Sequence, residues 1–168
     1  MSWKILIERG NLGFSAAHFI TFDGMCEPLH GHNYGVRVEV TGDLTPDSYV
    51  FDFVALKRIV RTLCKEWDHR FLLPLQNPHL HITEQEHVWD IEYDQTTRFS
   101  LPKTSVVALR VDNATAERLA QLLAERVGEQ LRHLPGTSQL RTVTVGVEET
   151  EMQTAFYTMS VPSPDSSE

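Results

Sequence analysis

The chain has 168 residues, 41% hydrophobic and 23% charged, which suits one soluble domain large enough to bury a core. Its formal net charge of −8 argues against a general nucleic-acid binder. No apolar run reaches membrane-spanning length, Met1-Ser2-Trp3-Lys4 carries no signal-peptide pattern, and two cysteines, Cys26 and Cys64, make no disulfide framework, so a cytoplasmic setting is expected.

Residues 3–8 are apolar and β-compatible, Gly10-Asn11 is a turn signal, and residues 12–19 are a second extended segment. The two read as one strand, bent near Gly13 or Ala16-Ala17, or as two short ones. Asp23-Gly24 and Pro28 keep residues 20–29 from forming a continuous ladder strand. Residues 34–42 alternate, with Tyr34, Val36, Val38 and Val40 apolar and Arg37 and Glu39 charged, as in a half-buried antiparallel strand. Asp52 is placed to cap a helix whose inner face is Leu56, Ile59, Val60, Leu63, Cys64 and Trp67. Cys64 on that face reads as a small core residue.

Past the helix comes Asp68-His69, which is either a surface turn or an oriented acid–base unit. Residues 74–103 lose all period apart from a strand-like 88–93, so a small extra hairpin packed on the domain is expected. Residues 105–111 form an apolar segment that could extend that hairpin. A second helix begins at Asn113-Ala114-Thr115, buries Ala116, Leu119, Ala120, Leu123, Val127 and Leu131, and ends at His133 and Pro135-Gly136. Glu117 in its first turn suits the helix dipole. A final hairpin alternates Val143, Val145, Val147 and then Ala155, Tyr157, Met159, Val161 around Glu148, Glu149 and Glu151, acids that are ordinarily solvated. The residues 162–168 read as a disordered tail. The predicted order is ββ-α-(insert)-α-ββ, an α+β domain over residues 1–161 with two helices on one face of an antiparallel sheet. The open edges of such a sheet favour symmetric self-assembly.

The chemistry centres on His18, His30 and His32. Residues two apart on a strand share a face, so His30 and His32 can converge on one ion. If residues 14–19 pair antiparallel with them across the loop, His18 joins from the neighbouring strand. Three imidazoles without a fourth protein ligand form the open coordination of a catalytic zinc. The bare His-x-His spacing is weak, since His79-Leu80-His81 repeats it with nothing around it.

Six motifs then stand in one order: Phe14-Ser15-Ala16-Ala17-His18; Cys26-x-x-Leu29-His30-Gly31-His32-Asn33-Tyr34; Asp52-Phe53-x-x-Leu56-Lys57; Asp68-His69-x-x-Leu72; Thr115-Ala116-Glu117; and Glu149-Thr150 followed by Ala155 and Tyr157. Together they resemble the 6-pyruvoyltetrahydropterin synthase and 6-carboxytetrahydropterin synthase family, from about residue 3 to 161 except 74–103. The resemblance implies the tunnelling fold, a homohexamer built from two trimers, and active sites at subunit interfaces. It implies Zn2+ on His18, His30 and His32, Cys26 as catalytic base, and Asp68 with His69 as a proton relay. It implies Glu149 as the pterin anchor, with Thr115 and Glu117 in the same pocket. The implied substrate is 7,8-dihydroneopterin triphosphate, with neither nucleic acid nor membrane as partner. The four-residue step from Cys26 to His30 resembles the 6-carboxy branch of queuosine biosynthesis. The 6-pyruvoyl branch is the alternative, and a zinc-stabilised assembly protein with a closed site of three histidines and Cys26 is the non-enzymatic one. Two departures from the family pattern are the 74–103 insertion and the absence of a proline before Thr115.

Overall fold

Alternation of side chains dictates the framework, and the computed structural model, which describes residues 2–8, 12–95 and 97–161, follows it closely. The expected Gly10-Asn11 turn and the 162–168 tail lie outside the described residues. The chain opens with β1 (Trp3–Ile7) and β2 (Gly13–His18), continues through a small hairpin of β3 (Thr21–Phe22) and β4 (Met25–Cys26), and enters the long β5 (His30–Gly42). Both β1 and β2 pair antiparallel with β5, β1 along its second half and β2 along its first, so the first segment is two short strands in line. The histidine pair and the alternating run form one continuous strand.

Helix α1 (Phe53–Trp67) begins where expected. The Asp52 carboxylate accepts from the Val54 amide at 2.7 Å, and the helix buries Leu56, Val60, Leu63, Cys64 and Trp67. The next strand, β6 (Arg70–Pro74), has no alternation to announce it. Phe71, Leu72, Leu73 and Pro74 are all buried, because the strand is covered on both faces. It runs parallel to β2, and β10 (Val106–Leu109) runs parallel to β6 in turn. The apolar segment expected to extend the insert hairpin therefore extends the main sheet instead. Helix α2 (Ala116–Arg132) and the hairpin of β11 (Leu140–Thr150) and β12 (Gln153–Ser160) complete a seven-stranded sheet in the order β10-β6-β2-β5-β11-β12, with β1 also on β5. Its centre is antiparallel and one end is parallel.

Period two sorts the core into two layers. Phe14, Ala16, Tyr34, Val36, Leu72, Val143, Val145 and Val147 face both helices and join them in one cluster, so the helices share one face of the sheet. Phe71, Leu73 and Val106 face the other way and meet the insertion. The segment 74–103, expected as an insertion with a single hairpin, holds a three-stranded antiparallel sheet, β7 (Leu80–Glu84), β8 (Val88–Tyr93) and β9 (Thr97–Pro102). Its Ile91, Trp89, Phe99 and Leu101 pack with Phe19, Phe71 and Cys26, so the apolar positions of this aperiodic stretch serve a second, separate core.

Candidate metal and pterin site

The ladder between β2 and β5 sets His18 opposite His30 and Ala16 opposite His32. All three histidines are on the helix-facing side, with ring centroids 4.7, 5.2 and 4.9 Å apart. Their ligand atoms lie within 4.8 Å of one another. Gly31 between the pair is required by the neighbour strand, since a Cβ there would stand 2.9 Å from the Ala16 carbonyl oxygen. Two rings are oriented by backbone carbonyls: His18 Nδ1 lies 2.8 Å from the Ala114 oxygen and His30 Nδ1 2.8 Å from the Pro28 oxygen. Each imidazole then donates from Nδ1 and keeps an Nε2 lone pair, the arrangement found around protein-bound metals. His18 is almost wholly buried, and burial holds its pKa below the usual histidine range. Its Nε2 is a buried nitrogen with no hydrogen-bond partner among the described residues. A neutral donor of that kind suits zinc, so the residues fit the metal that the sequence implied. Neither the Cys26 sulfur nor a Glu149 oxygen is in this group of converging ligand atoms, which among the described residues holds the three histidines.

Cys26 ends the small hairpin between the histidine-bearing strands, paired with Thr21. Asn113 grips the same hairpin, donating to the Thr21 carbonyl at 2.9 Å and accepting from the Thr21 amide at 3.3 Å. Asn77 donates to the Thr21 hydroxyl at 2.9 Å. The entry to α2 and the start of the insertion thus both hold the hairpin that carries the thiol. Burial against the second core, followed by the carboxylates of Asp94 and Glu27, pushes the thiol pKa up.

Glu149 continues the row of Val143, Val145 and Val147, so it points to the helix face although it sits near a hairpin tip. Its Oε1 is 3.3 Å from His18 Nε2 and 3.8 Å from His32 Nε2. The Tyr34 hydroxyl donates to the same oxygen at 3.4 Å, and burial followed by the Glu149 charge raises the phenol pKa far above its ordinary value. Glu149 also lines a cleft of about 600 Å³ with Thr115, Glu117, Ile20 and Gln153. Thr115 caps α2, accepting from the Arg118 amide at 3.4 Å, so that cleft opens at the helix entrance.

Asp68 and His69 are brought together at the corner that follows α1. The Asp68 carboxylate is 2.9 Å from His69 Nδ1 and accepts from the Ser15 amide at 2.8 Å, the first cause of its lowered pKa. His69 adopts positive φ, its side chain is 81% exposed, and it lines a cleft of about 520 Å³ with His32, Ser15, Asn33, Arg70 and Phe71. Ser15, Ala17 and Asn33 have the opposite parity to His18, His30 and His32, but Ala16 and His32 also line this cleft. The contributions of Tyr34, Asn113 and the Ala114 carbonyl were not read from the sequence. Tyr34 could have been found from its parity with the histidine pair, whereas a backbone oxygen leaves no sequence signal.

Comparison with known proteins agrees with this arrangement. The family model described as 6-pyruvoyl tetrahydropterin synthase matches residues 9–160. A Methanocaldococcus jannaschii protein provisionally named 6-carboxy-5,6,7,8-tetrahydropterin synthase is 32% identical over 150 residues, 89% of this chain and 91% of its own. The Bacillus subtilis 6-carboxy-5,6,7,8-tetrahydropterin synthase is 36% identical over 110 residues, 63% of each chain. The crystal structure of 6-pyruvoyl tetrahydropterin synthase from Plasmodium vivax superposes with a TM-score of 0.90 at 31% identity, over 95% of this chain and 99% of that one. The folding pattern read from the sequence is therefore the tunnelling fold of those structures, and the chain belongs to the 6-pyruvoyl tetrahydropterin synthase family.

Proposed function

We propose that the protein is a zinc-dependent lyase that converts 7,8-dihydroneopterin triphosphate, with uptake of water, to 6-carboxy-5,6,7,8-tetrahydropterin, acetaldehyde and triphosphate, the queuosine-pathway reaction. The observation that carries this reading is the buried, unbonded Nε2 of His18 converging with His30 and His32 beside the Glu149 cleft. His18, His30 and His32 would hold the zinc, which as a Lewis acid favours ionisation of the substrate side chain. Glu149 accepts the paired N–H groups on the pterin's pyrimidine edge, a geometry one carboxylate matches with two bonds. Thr115 and Glu117 line the same cleft and orient the ring.

Cys26 takes the side-chain proton as thiolate. Since its surroundings disfavour the anion, a positive neighbour must complete the base. His69, oriented through Nδ1 by Asp68, supplies that charge and relays protons from its other nitrogen. In the assembly that the resemblance implies, the relay and the thiol meet between subunits of a homo-oligomer. Two trimers stacked as a hexamer are the assembly we propose, working in the cytoplasm.

The likeness to the Plasmodium vivax structure favours a second reading, elimination of triphosphate with rearrangement to 6-pyruvoyltetrahydropterin. A third relative, the dihydroneopterin monophosphate aldolase of Pyrococcus furiosus, is 27% identical over 132 residues. Incubating the zinc-loaded protein with 7,8-dihydroneopterin triphosphate and weighing the product decides among them. The 6-carboxy mass with acetaldehyde is expected; the 6-pyruvoyl mass selects the second reading, and unchanged substrate rejects both.

A further inference from the structure

Glu149 faces two ways. It lines the cleft with Thr115 and Glu117, and its Oε1 also stands 3.3 Å from His18 Nε2 and 3.8 Å from His32 Nε2. The approach to His18 is not a hydrogen bond. Nδ1 of that ring is committed to the Ala114 carbonyl, and Nε2 has no hydrogen-bond partner despite the short distance. Two electron-pair donors thus meet in a largely enclosed place with no proton aligned between them. That contact is unfavourable unless a cation joins the two. Tetrahedral bonds of ~2.0–2.1 Å set neighbouring donors roughly 3.3 Å apart, which matches the approach to His18, while the 3.8 Å to His32 leaves the carboxylate a short further movement to make. The Tyr34 hydroxyl donates to the same carboxylate oxygen, as outer hydrogen bonds do to ligating carboxylates. The register shift of β11 between Glu148 and Thr150 sits at Glu149, where a bulge re-aims a side chain.

We propose that Glu149 fills the fourth position of the metal while the cleft is empty and leaves it when a pterin ring enters. Filling the cleft then opens the coordination position that the substrate's side-chain hydroxyls take, so the two halves of the site are coupled through one carboxylate. This rests on the metal and pterin reading of the site given above. The same contact retards loss of zinc from the unliganded protein.

The test uses the full chain as wild type, Glu149→Gln, Glu149→Ala and, for reference, His32→Ala. Zinc affinity is measured by chelator competition, and the cobalt(II)-substituted proteins are followed by visible absorption with and without 7,8-dihydroneopterin. Both Glu149 variants are expected to bind zinc at least about tenfold more weakly. Their cobalt bands should differ from wild type, and 7,8-dihydroneopterin should shift the wild-type band towards theirs. Glu149→Gln keeps the side-chain volume, so a weakened metal site in that variant is not a folding defect. Unchanged zinc affinity in both variants, with a cobalt band indifferent to substitution and to the pterin, overturns the proposal and leaves the pterin-anchor reading standing. Full zinc affinity in His32→Ala rejects the metal centre itself, and the proposal with it.

Discussion

On its helix side the β2–β5 ladder carries His18, His30, His32 and Tyr34, held by backbone carbonyls and by Glu149. On its other side Ser15, Asn33 and the Asp68–His69 corner border an open cleft, and His69 is mostly exposed. The first arrangement is preorganised within one chain. The second is an exposed acid–base pair, and the contrast poses the question of whether the thiol it works with comes from its own subunit or from a neighbour.

The largest expected effects test that division. Cys26→Ala and His69→Ala should each lower turnover by about 10²–10⁴-fold, the range of a lost general base or acid, while zinc content stays at the wild-type level. Mixing the two inactive proteins in equal amounts, with subunit exchange, should restore about a quarter of the wild-type rate if each site draws the two groups from different subunits. No recovery in a mixture shown to contain hetero-oligomers would place both groups in one chain and dissolve the contrast.

Next in size are the two cores. Trp67, the last residue of α1, is buried against Phe14 on the helix side, so Trp67→Ala should cost about 3–5 kcal/mol, with Tm falling about 2–4 °C per kcal/mol. Ile91 is buried beneath the insertion, and Ile91→Ala should cost about 2–5 kcal/mol. The two should differ in a second readout: only Ile91→Ala should speed alkylation of Cys26, which packs in that core. Equal acceleration by Trp67→Ala would mean that the cores are not separate. The alkylation rate itself should rise with pH around a midpoint above the ordinary thiol value of about 8.5 in metal-free protein, because burial and the Asp94 and Glu27 charges favour the protonated form. The smallest effect is Asp52→Ala, a lost cap worth about 1 kcal/mol in thermal unfolding, with no change in alkylation.

The legible parts of the sequence are those with local period. Alternation from Tyr34 to Val40 specifies β5, and helical spacing from Leu56 to Trp67 specifies α1 with its cap. The histidine trio follows from parity once β2 and β5 pair. The strand β6 is not legible, because a short run buried on both faces has no alternation to show. The partner of β10 was missed because a parallel neighbour lies far away in sequence. Nothing local announces that His69 takes positive φ, the turn that carries it to the other cleft. Glu149 is an intermediate case: acids at a hairpin tip look solvated, yet its parity with Val143, Val145 and Val147 assigns it to the interior side.

The parallel corner also bears on how the chain reaches this state. The β11–β12 hairpin closes between near neighbours, whereas the bond from the Ser15 amide to Asp68 spans 53 residues and the β6–β10 pairing must wait for the insertion to be threaded past. Ordering such distant segments is slow, because the entropy of closing the loop is lost before any contact repays it. Refolding kinetics should therefore show the Asp68–His69 corner consolidating after the β2–β5 ladder, leaving a transient species in which the three histidines have converged before that corner is in place.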